Sequence, residues 1–388
     1  MSVSENGNQT NGKKRKILIR FAALLLIFAI IALIYWFFFI RNWVSTDDAY
    51  VNGYVVNITS EVSATTTAFY CDNSDFVKKG TLLVQLDKTD YELTFEEAKA
   101  SLALAVRQVV NLEQNVFEAK ASFRSAKADF ERALVDFNNR QGLVDSLAIT
   151  KEDYQHSKLQ TNASKALLSL YRHKVKAALA ALGTTTLDAH PLVENAKAYL
   201  RQAFVNLKRS SIYAPIDGYV AKRTIEVGKR VKPGDIMMAI ISLGDVWVDA
   251  NFKETQLEDI RVDQSVSMTS DIYGGRVNFK GKVLGLVPGT GSIFSLLPPQ
   301  NATGNWIKIV QRVPVRILLD KDQLQKFPLL LGLSIYATVD IADRSGHFLR
   351  EVSAEKAVAS TTIYDIDMSE VDALIDKIII NNQVGYDK

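Results

Sequence analysis

The sequence predicts a multidomain α+β chain. Its parts are a single N-terminal transmembrane helix, a β-sandwich split in two by a long antiparallel α-helical coiled-coil hairpin, and then an antiparallel β-barrel. Three observations carry this reading. An uncharged apolar run stands near the start, a seven-residue apolar repeat fills the middle, and two similar Lys-x-Gly segments flank that repeat. At 388 residues the chain is long enough for two or three domains.

Residues 1–16 read as a basic cytoplasmic tail and 17–40 as a membrane anchor. The stretch FAALLLIFAIIALIYWFFFI, Phe21 to Ile40, holds 20 residues and no charge. At about 1.5 Å per residue it spans the roughly 30 Å hydrocarbon core. It is too long for the apolar core of a cleaved signal peptide, and bulky Trp36–Ile40 stands where a cleavage site needs small residues. Tyr35, Trp36 and Trp43 suit the interface. Lys13, Lys14, Arg15, Lys16 and Arg20 precede the span and only Arg41 follows closely, so the N-terminus is expected inside and the rest outside. The span has no Asp, Glu, Lys or His to relay a proton. Any transport is therefore powered by another subunit.

Residues 45–88 and 209–245 read as two half-domains. FVKKGTLLVQLD, Phe76–Asp87, is echoed by RVKPGDIMMAII, Arg230–Ile241. Without a gap, Val77 falls on Val231, Lys78 on Lys232 and Gly80 on Gly234; Leu82, Val84 and Leu86 fall on Ile236, Met238 and Ile240. Lys-x-Gly before an alternating strand is a common turn signal, so two unrelated β-hairpins are one reading. Two halves of a single small domain are the other.

Residues 89–208 explain how two halves come to be separated. Positions at alternating spacings of 4 and 3 are apolar from Ala98 to Phe137, including Leu102, Val109, Leu112, Val116, Phe123, Phe130 and Phe137. A repeat held that long makes a left-handed coiled-coil seam. The outgoing arm of about 50 residues reaches ~75 Å. A tip near 138–150 follows, where Thr150, Glu152 and Asp153 resemble a helix start. A second seam, Leu159, Ala163, Ala166, Leu170, Ala177 and Ala180, is expected on the way back, broken at LGTTTLDAHP and resumed from Val193. Antiparallel arms return to their origin, which brings the two Lys-x-Gly segments side by side.

Residues 246–345 read as β, because VWVDANF, SVSM, RVNFKGKVLGLV, IKIVQRVPVRILL and SIYATVDIA alternate with period two. Between Pro288 and Asn305 a Gly- and Pro-rich loop carries Ile293, Phe294, Leu296 and Leu297. It either meets a membrane or partner protein or folds onto its own barrel. The tail, 346–388, contains an amphipathic stretch from Ser369 with an N-cap, to which no function is assigned.

Several functions are disfavoured. Net charge is only +3, so nucleic acid is not an expected partner. Cys71 is the sole cysteine, and His156, His173, His190 and His347 are scattered. No GxSxG, P-loop, HExxH or CxxC occurs, and Asp47–Asp48 read as the start of the external domain. No enzyme, cofactor or metal is expected.

TDDAYVNGYVV from Thr46, the Phe76 stretch, IYAPIDGYVAKRTIEVGKRVKPG from Ile212, VWVDANFKETQL from Val246, TGSIFSLLPPQNATGNWIKIVQRVPVRI from Thr290 and GLS from Gly332 stand in an order that resembles one family. It is that of the membrane fusion proteins, or periplasmic adaptors (HlyD family), nearest in pattern to the EmrA type. The resemblance implies a split lipoyl-like sandwich with turns at Lys78, Gly80, Gly218, Lys232 and Gly234, and a homo-oligomer in the bacterial inner membrane. It implies an inner-membrane exporter of the major facilitator type that expels drugs, and a TolC-type outer-membrane channel met by the hairpin tip. The family's tip pattern of Arg, Leu and a small polar residue falls on Asn139, Leu143 and Thr150, with Arg140 beside the first. Ala64 stands where the second half has Gly218 and the family usually has Gly. An adaptor for peptide, protein, siderophore or lipid secretion is the alternative. A lipoyl or biotin carrier is more remote, because the coiled coil occupies the turn where a modifiable Lys would sit.

Overall fold

The computed structural model describes residues 10–35, 41–144, 148–290, 293, 310–351 and 357–383. The chain opens with α1 (Thr10–Tyr35), β1 (Trp43–Asn52), β2 (Val55–Thr59), β3 (Ala64–Phe69), β4 (Phe76–Val77) and β5 (Leu82–Leu86). Three helices follow, α2 (Thr89–Val144), α3 (Lys151–Leu182) and α4 (Pro191–Lys208). Then come β6 (Ser211–Tyr213), β7 (Gly218–Arg223), β8 (Arg230–Val231), β9 (Ile236–Ile241), β10 (Trp247–Lys253), β11 (Ser265–Ser270) and β12 (Phe279–Leu286). The last elements are β13 (Arg312–Leu319), α5 (Lys321–Lys326), β14 (Ser334–Asp340) and α6 (Ser369–Gln383).

Helix α1 carries the apolar run as far as Tyr35, and the remainder of that run, 36–40, lies outside the described residues. Among the described residues no helix is long and apolar enough to cross a membrane.

Two four-stranded sheets, ordered β2-β9-β7-β4 and β6-β5-β3-β8, face each other. Replace each strand of the first sheet by its counterpart from the other half of the chain, and the second sheet results. Each sheet thus takes two strands from either side of the hairpin, and neither half closes alone. The backbone repeats the relation. Gly80 N–H donates to the Ala214 carbonyl at 2.8 Å, and Gly234 N–H to the Ser60 carbonyl at 2.9 Å. Gly80 and Gly234 hold φ of 83° and 90°, a region open to Gly and costly for other residues. Val77, Leu83, Val84, Leu86, Val231, Met237, Met238 and Ile240 fill the space between the sheets. Cys71 is buried there too, and burial, with Asp75 and Asp72 nearby, pushes its thiol above the ordinary value.

Sterics account for the glycine of the second half. A Cβ on Gly218 would lie 2.5 Å from the Ile241 carbonyl oxygen. In the first half the corresponding strand, β5, stops at Leu86. Asp87, the counterpart of Ile241, still donates its N–H to the Thr65 carbonyl of β3 at 2.8 Å, while its carboxylate accepts from the Thr89 N–H at 3.0 Å at the start of α2. Ala64 is buried as the first residue of β3, so the first half accepts a methyl group at this position.

The six-stranded barrel closes in the order β1-β10-β13-β12-β11-β14. This corrects the boundary at residue 45. The chain from Trp43 to Asn52 is a barrel strand, paired Val51↔Val248 with β10 and Val44↔Val339 with β14. Its alternation reads equally well for either domain, and only long-range pairing assigns it. Asp47 and Asp48 sit in its bulge, where the register shifts between Thr46 and Ala49. Asp48 takes a hydrogen bond from Asn251 and an ion pair with Arg312 at 3.1 Å. The barrel core includes Phe252, Phe279, Ile317 and Val339, all fully buried. Ile307 and Ile309 lie outside the described residues.

Gly218→Ala is expected to destabilise the sandwich by about 3 kcal/mol, the top of the usual range for overpacking. Ala64→Gly should cost only about 1 kcal/mol, mainly chain entropy. Denaturant titration of the two variants checks the asymmetry.

Candidate functional site: the hairpin and its tip

Helix α2 has 56 residues and so extends about 84 Å at 1.5 Å each. Asp90 and Glu92 in its first turn complement the helix dipole. The return path is two helices, of 32 and 18 residues. Gly183, at φ 77°, ends the first with its N–H bonded to the Leu179 carbonyl. Pro191 opens the second, behind an N-cap His190 that accepts from the Leu192 N–H at 3.3 Å. Lys197 ties this break together, with its ammonium 2.5 Å from Asp188 and 3.0 Å from Glu194. Burial works against that charge, but the hydrogen bonds to Asp188 and Glu194 outweigh it and hold the ammonium above its ordinary value.

The outgoing seam faces inward. Leu102, Val109 and Val116 are buried, and Leu112, Phe123, Phe130 and Phe137 are half-buried. Near the base it packs on Val193, Leu200, Ala203 and Phe204 of α4. Farther out its partner is α3, and there the structure corrects the expected return seam. Leu159, Ala163, Ala166, Leu170, Ala177 and Ala180 are exposed. The inward positions are Tyr154, Ser157, Thr161, Ser164, Leu168, Tyr171 and Val175, which share the same spacing two residues earlier. Small hydroxyl residues serve because they satisfy themselves locally. Ser157 Oγ donates to the Tyr154 carbonyl at 2.8 Å, and Thr161 Oγ1 lies 2.9 Å from the Ser157 carbonyl and 3.1 Å from the Ala133 carbonyl across the pair.

The tip residues occupy two elements. Asn139, Arg140 and Leu143 stand in the last turns of α2, and Thr150 is the N-cap of α3. Asn139 is exposed, and Leu143 is 44% exposed. Arg140 is held on its own helix by Asp136, at 3.1 Å. Thr150 caps α3 through its side chain. Its Oγ1 accepts from the Asp153 N–H at 3.0 Å and donates to the Asp153 carboxylate at 2.6 Å. That hydrogen bond holds Asp153 below its ordinary value. Phe137 and Tyr154 stack at 5.4 Å and close the seam beneath the tip. The tip therefore offers Asn139 and Leu143 outward, while Arg140 and Thr150 serve the two helices.

Elsewhere, Lys78, Gly80, Lys232 and Gly234 form exposed sandwich turns, and Gly218 is buried at the β7–β4 pair. Ile293 is 68% exposed; Phe294, Leu296 and Leu297 lie outside the described residues. On the outer face of α2, Lys127 and Glu131 pair on the same helix at 3.7 Å with both side chains exposed, as on a solvated surface. Sequence reasoning missed Val106 and Val110, which are buried off the seam with Val371, Ile375 and Ile379 of α6. Their i, i+4 spacing was a signal for a third helix.

Phe130→Asp is expected to lower stability by about 2–4 kcal/mol, the cost of losing a large apolar contact and desolvating a carboxylate. Hydrogen exchange should localise the opening to the distal hairpin. Thr150→Ala should cost about 1 kcal/mol, the usual worth of an N-cap. Because Asp153 is depressed in the fold, its contribution is present above its ordinary value near 3.8 and is lost as pH falls through the lower folded value. An acid titration of hairpin helicity should show that dependence in the parent and not in Thr150→Ala.

Residues 89–210 match the family model described as EMRA, alpha-helical hairpin domain. The Multidrug export protein EmrA of Haemophilus influenzae is 43% identical over 381 residues, covering 98% of this chain and 97% of that protein. The Fatty acid resistance protein FarA of Neisseria gonorrhoeae is 41% identical, over 86% of this chain and 84% of that one. A solved structure described as the periplasmic adaptor protein EmrA is 19% identical, covers 77% of this chain and 98% of that chain, and has a TM-score of 0.38. The near-full-length sequence match carries the assignment: the chain belongs to the EmrA-type periplasmic adaptors, the membrane fusion proteins of efflux pumps.

Proposed function

We propose that the chain links an inner-membrane, proton-driven drug exporter of the major facilitator type to a TolC-type outer-membrane channel. The carrying observation is the hairpin: a rigid arm of about 84 Å that returns to its own sandwich. Residues 17–40 anchor the chain in the bacterial inner membrane as a single pass, with residues 1–16 cytoplasmic and the bulk of the chain periplasmic. The uncharged run from Phe21 supports this reading, as does the basic flank before it. With no ionisable group in the run, the anchor supplies no proton path, and the exporter does the energetic work.

The exposed stripe on α3 supports a homo-oligomer. Leu159, Leu167 and Leu170 are 63%, 52% and 49% exposed on a helix whose other face already meets α2. A neighbouring copy would cover them as hairpins stand side by side. At the open end of such an assembly, Asn139 and Leu143 meet the channel, with Arg140 beside them. Exposed Ile293, in the loop between β12 and β13, is a point of contact for the exporter or membrane. One relative is named for fatty acid resistance, which favours a lipid-like cargo as the second reading.

Deleting the chain should sensitise cells to hydrophobic toxicants, and the tagged protein should co-purify with a multi-span exporter. Unchanged tolerance with no such partner would refute the assignment. Asn139→Asp with Leu143→Asp should abolish channel capture while leaving helicity intact. Leu159→Glu with Leu170→Glu should reduce the oligomer to smaller species in sedimentation velocity, and an unchanged oligomer would place the copy–copy contact elsewhere.

A further inference from the structure

The hairpin hangs from the sandwich on two short covalent links. One joins Leu86, the end of β5, to Thr89 of α2; the other joins Lys208, the end of α4, to Ser211 of β6. Two attachment points define an axis and leave rotation about it free. The side-chain ties there sit beside the links themselves. Tyr91 OH donates to the Ser63 carbonyl at 3.1 Å, and Arg209 pairs with Glu61 at 2.5 Å. The junction is not filled: a cavity of about 560 Å³ lies between the sandwich and the helices, with Phe95, Phe204 and Ile212 in its wall.

A third attachment comes from the far end of the chain. At the sandwich, Thr361 Oγ1 donates to the Pro215 carbonyl at 2.8 Å, and Lys79 Nζ donates to Thr362 Oγ1 at 3.4 Å. Ile363, Tyr364 and Ile366 then line the cavity. Burial, with Glu61 nearby, pushes the Tyr364 hydroxyl above its ordinary value. Helix α6, of 15 residues, lies on the hairpin base. Val371, Ile375 and Ile379 are buried there among Leu102, Leu200 and Phe204. Glu370 pairs with Lys208 and Asp372 with Arg201, each at 2.8 Å.

We infer that residues 361–383 are a brace that sets the angle of the hairpin on the sandwich, and through it the position of the tip. The grip differs at its two ends. The head is an amphipathic helix whose apolar face packs on two helices, whereas the foot rests on a few polar contacts at the sandwich surface. A tie between two bodies, placed away from the axis of their covalent links, blocks rotation that the links permit. The lever is long: over about 84 Å, a turn of about 10° at the base carries the tip through roughly 15 Å. Small changes at the foot therefore decide where the tip points. The brace is a property of the chain alone and stands whether or not the tip meets a channel.

The test uses the full chain with spin labels at Asn57→Cys on β2 and Gln114→Cys on α2, both exposed. Cys71 is buried and stays in place. Double electron–electron resonance reads the distance distribution. One variant unseats the head (Val371→Asp with Ile375→Asp), and another removes the foot (Thr361→Val with Lys79→Ala). The parent should give one narrow distribution, and each variant should broaden it by about twofold or more, the mark of a freed rigid-body motion. The foot variant should keep parental helicity. If the C-terminal helix merely stabilises the hairpin base, only the head variant will change. A foot variant as narrow as the parent overturns the brace, even if the head variant fails to fold.

Discussion

The Leu86 N–H donates to the Ser210 carbonyl at 2.9 Å, and the rest of the architecture depends on that meeting. It joins the residue where the chain leaves the sandwich to the residue where it returns. Strands β5 and β6 are neighbours in one sheet, so the inserted helices must start and finish a strand's width apart. Antiparallel helices with a tight tip are the economical solution. The cost of inserting so long a segment is modest, because loop-closure entropy grows by only about 0.6 kcal/mol per doubling of length. The insertion also carries its own packed seam, so it need not be treated as a flexible loop.

The same closure explains the doubled Lys-x-Gly segments. Each sheet borrows two strands from the opposite half, so the sandwich exists only once the hairpin has returned. The two halves share one register, and they differ in the residue at the start of β3 and β7. Strand β9 runs one residue farther than β5, and its last carbonyl crowds Gly218. At the matching place in the first half Asp87 keeps its bond to the Thr65 carbonyl but α2 begins two residues later, and Ala64 stands where the second half has Gly218.

The hairpin shows how burial and hydrophobicity part company. The outgoing arm turns its Phe, Val and Leu positions inward. The return arm turns Ser157, Thr161 and Ser164 inward and leaves a leucine stripe outside. Hydroxyls that bond their own helix carbonyls, as those of Ser157 and Thr161 do, can be buried at small cost, so the inner seam does not need the most apolar residues available. An apolar stripe left outside a two-helix unit is free to serve contacts between units. Helix α6 adds a third body at the base, where α2 carries Val106 and Val110 beside its seam.

By itself the sequence determined the local periods: the uncharged run near the start, the seven-residue repeat of α2, the alternating strands after Val246, and the paired turns with their glycines. These are short-range properties, set by side-chain spacing against the pitch of a helix or the pleat of a strand. Family motifs in their order added the adaptor assignment, which near-full-length relatives carry. Tertiary structure alone decided which domain owns the strand from Trp43, because alternation looks the same in a sandwich and a barrel. It alone chose between the two faces of α3, because both carry the required spacing and only the partner helix selects one. It alone seated the C-terminal helix, since the groove that receives Val371, Ile375 and Ile379 is built by α2 and α4 from distant parts of the chain. Such choices rest on contacts between segments remote in sequence, and no local pattern encodes them.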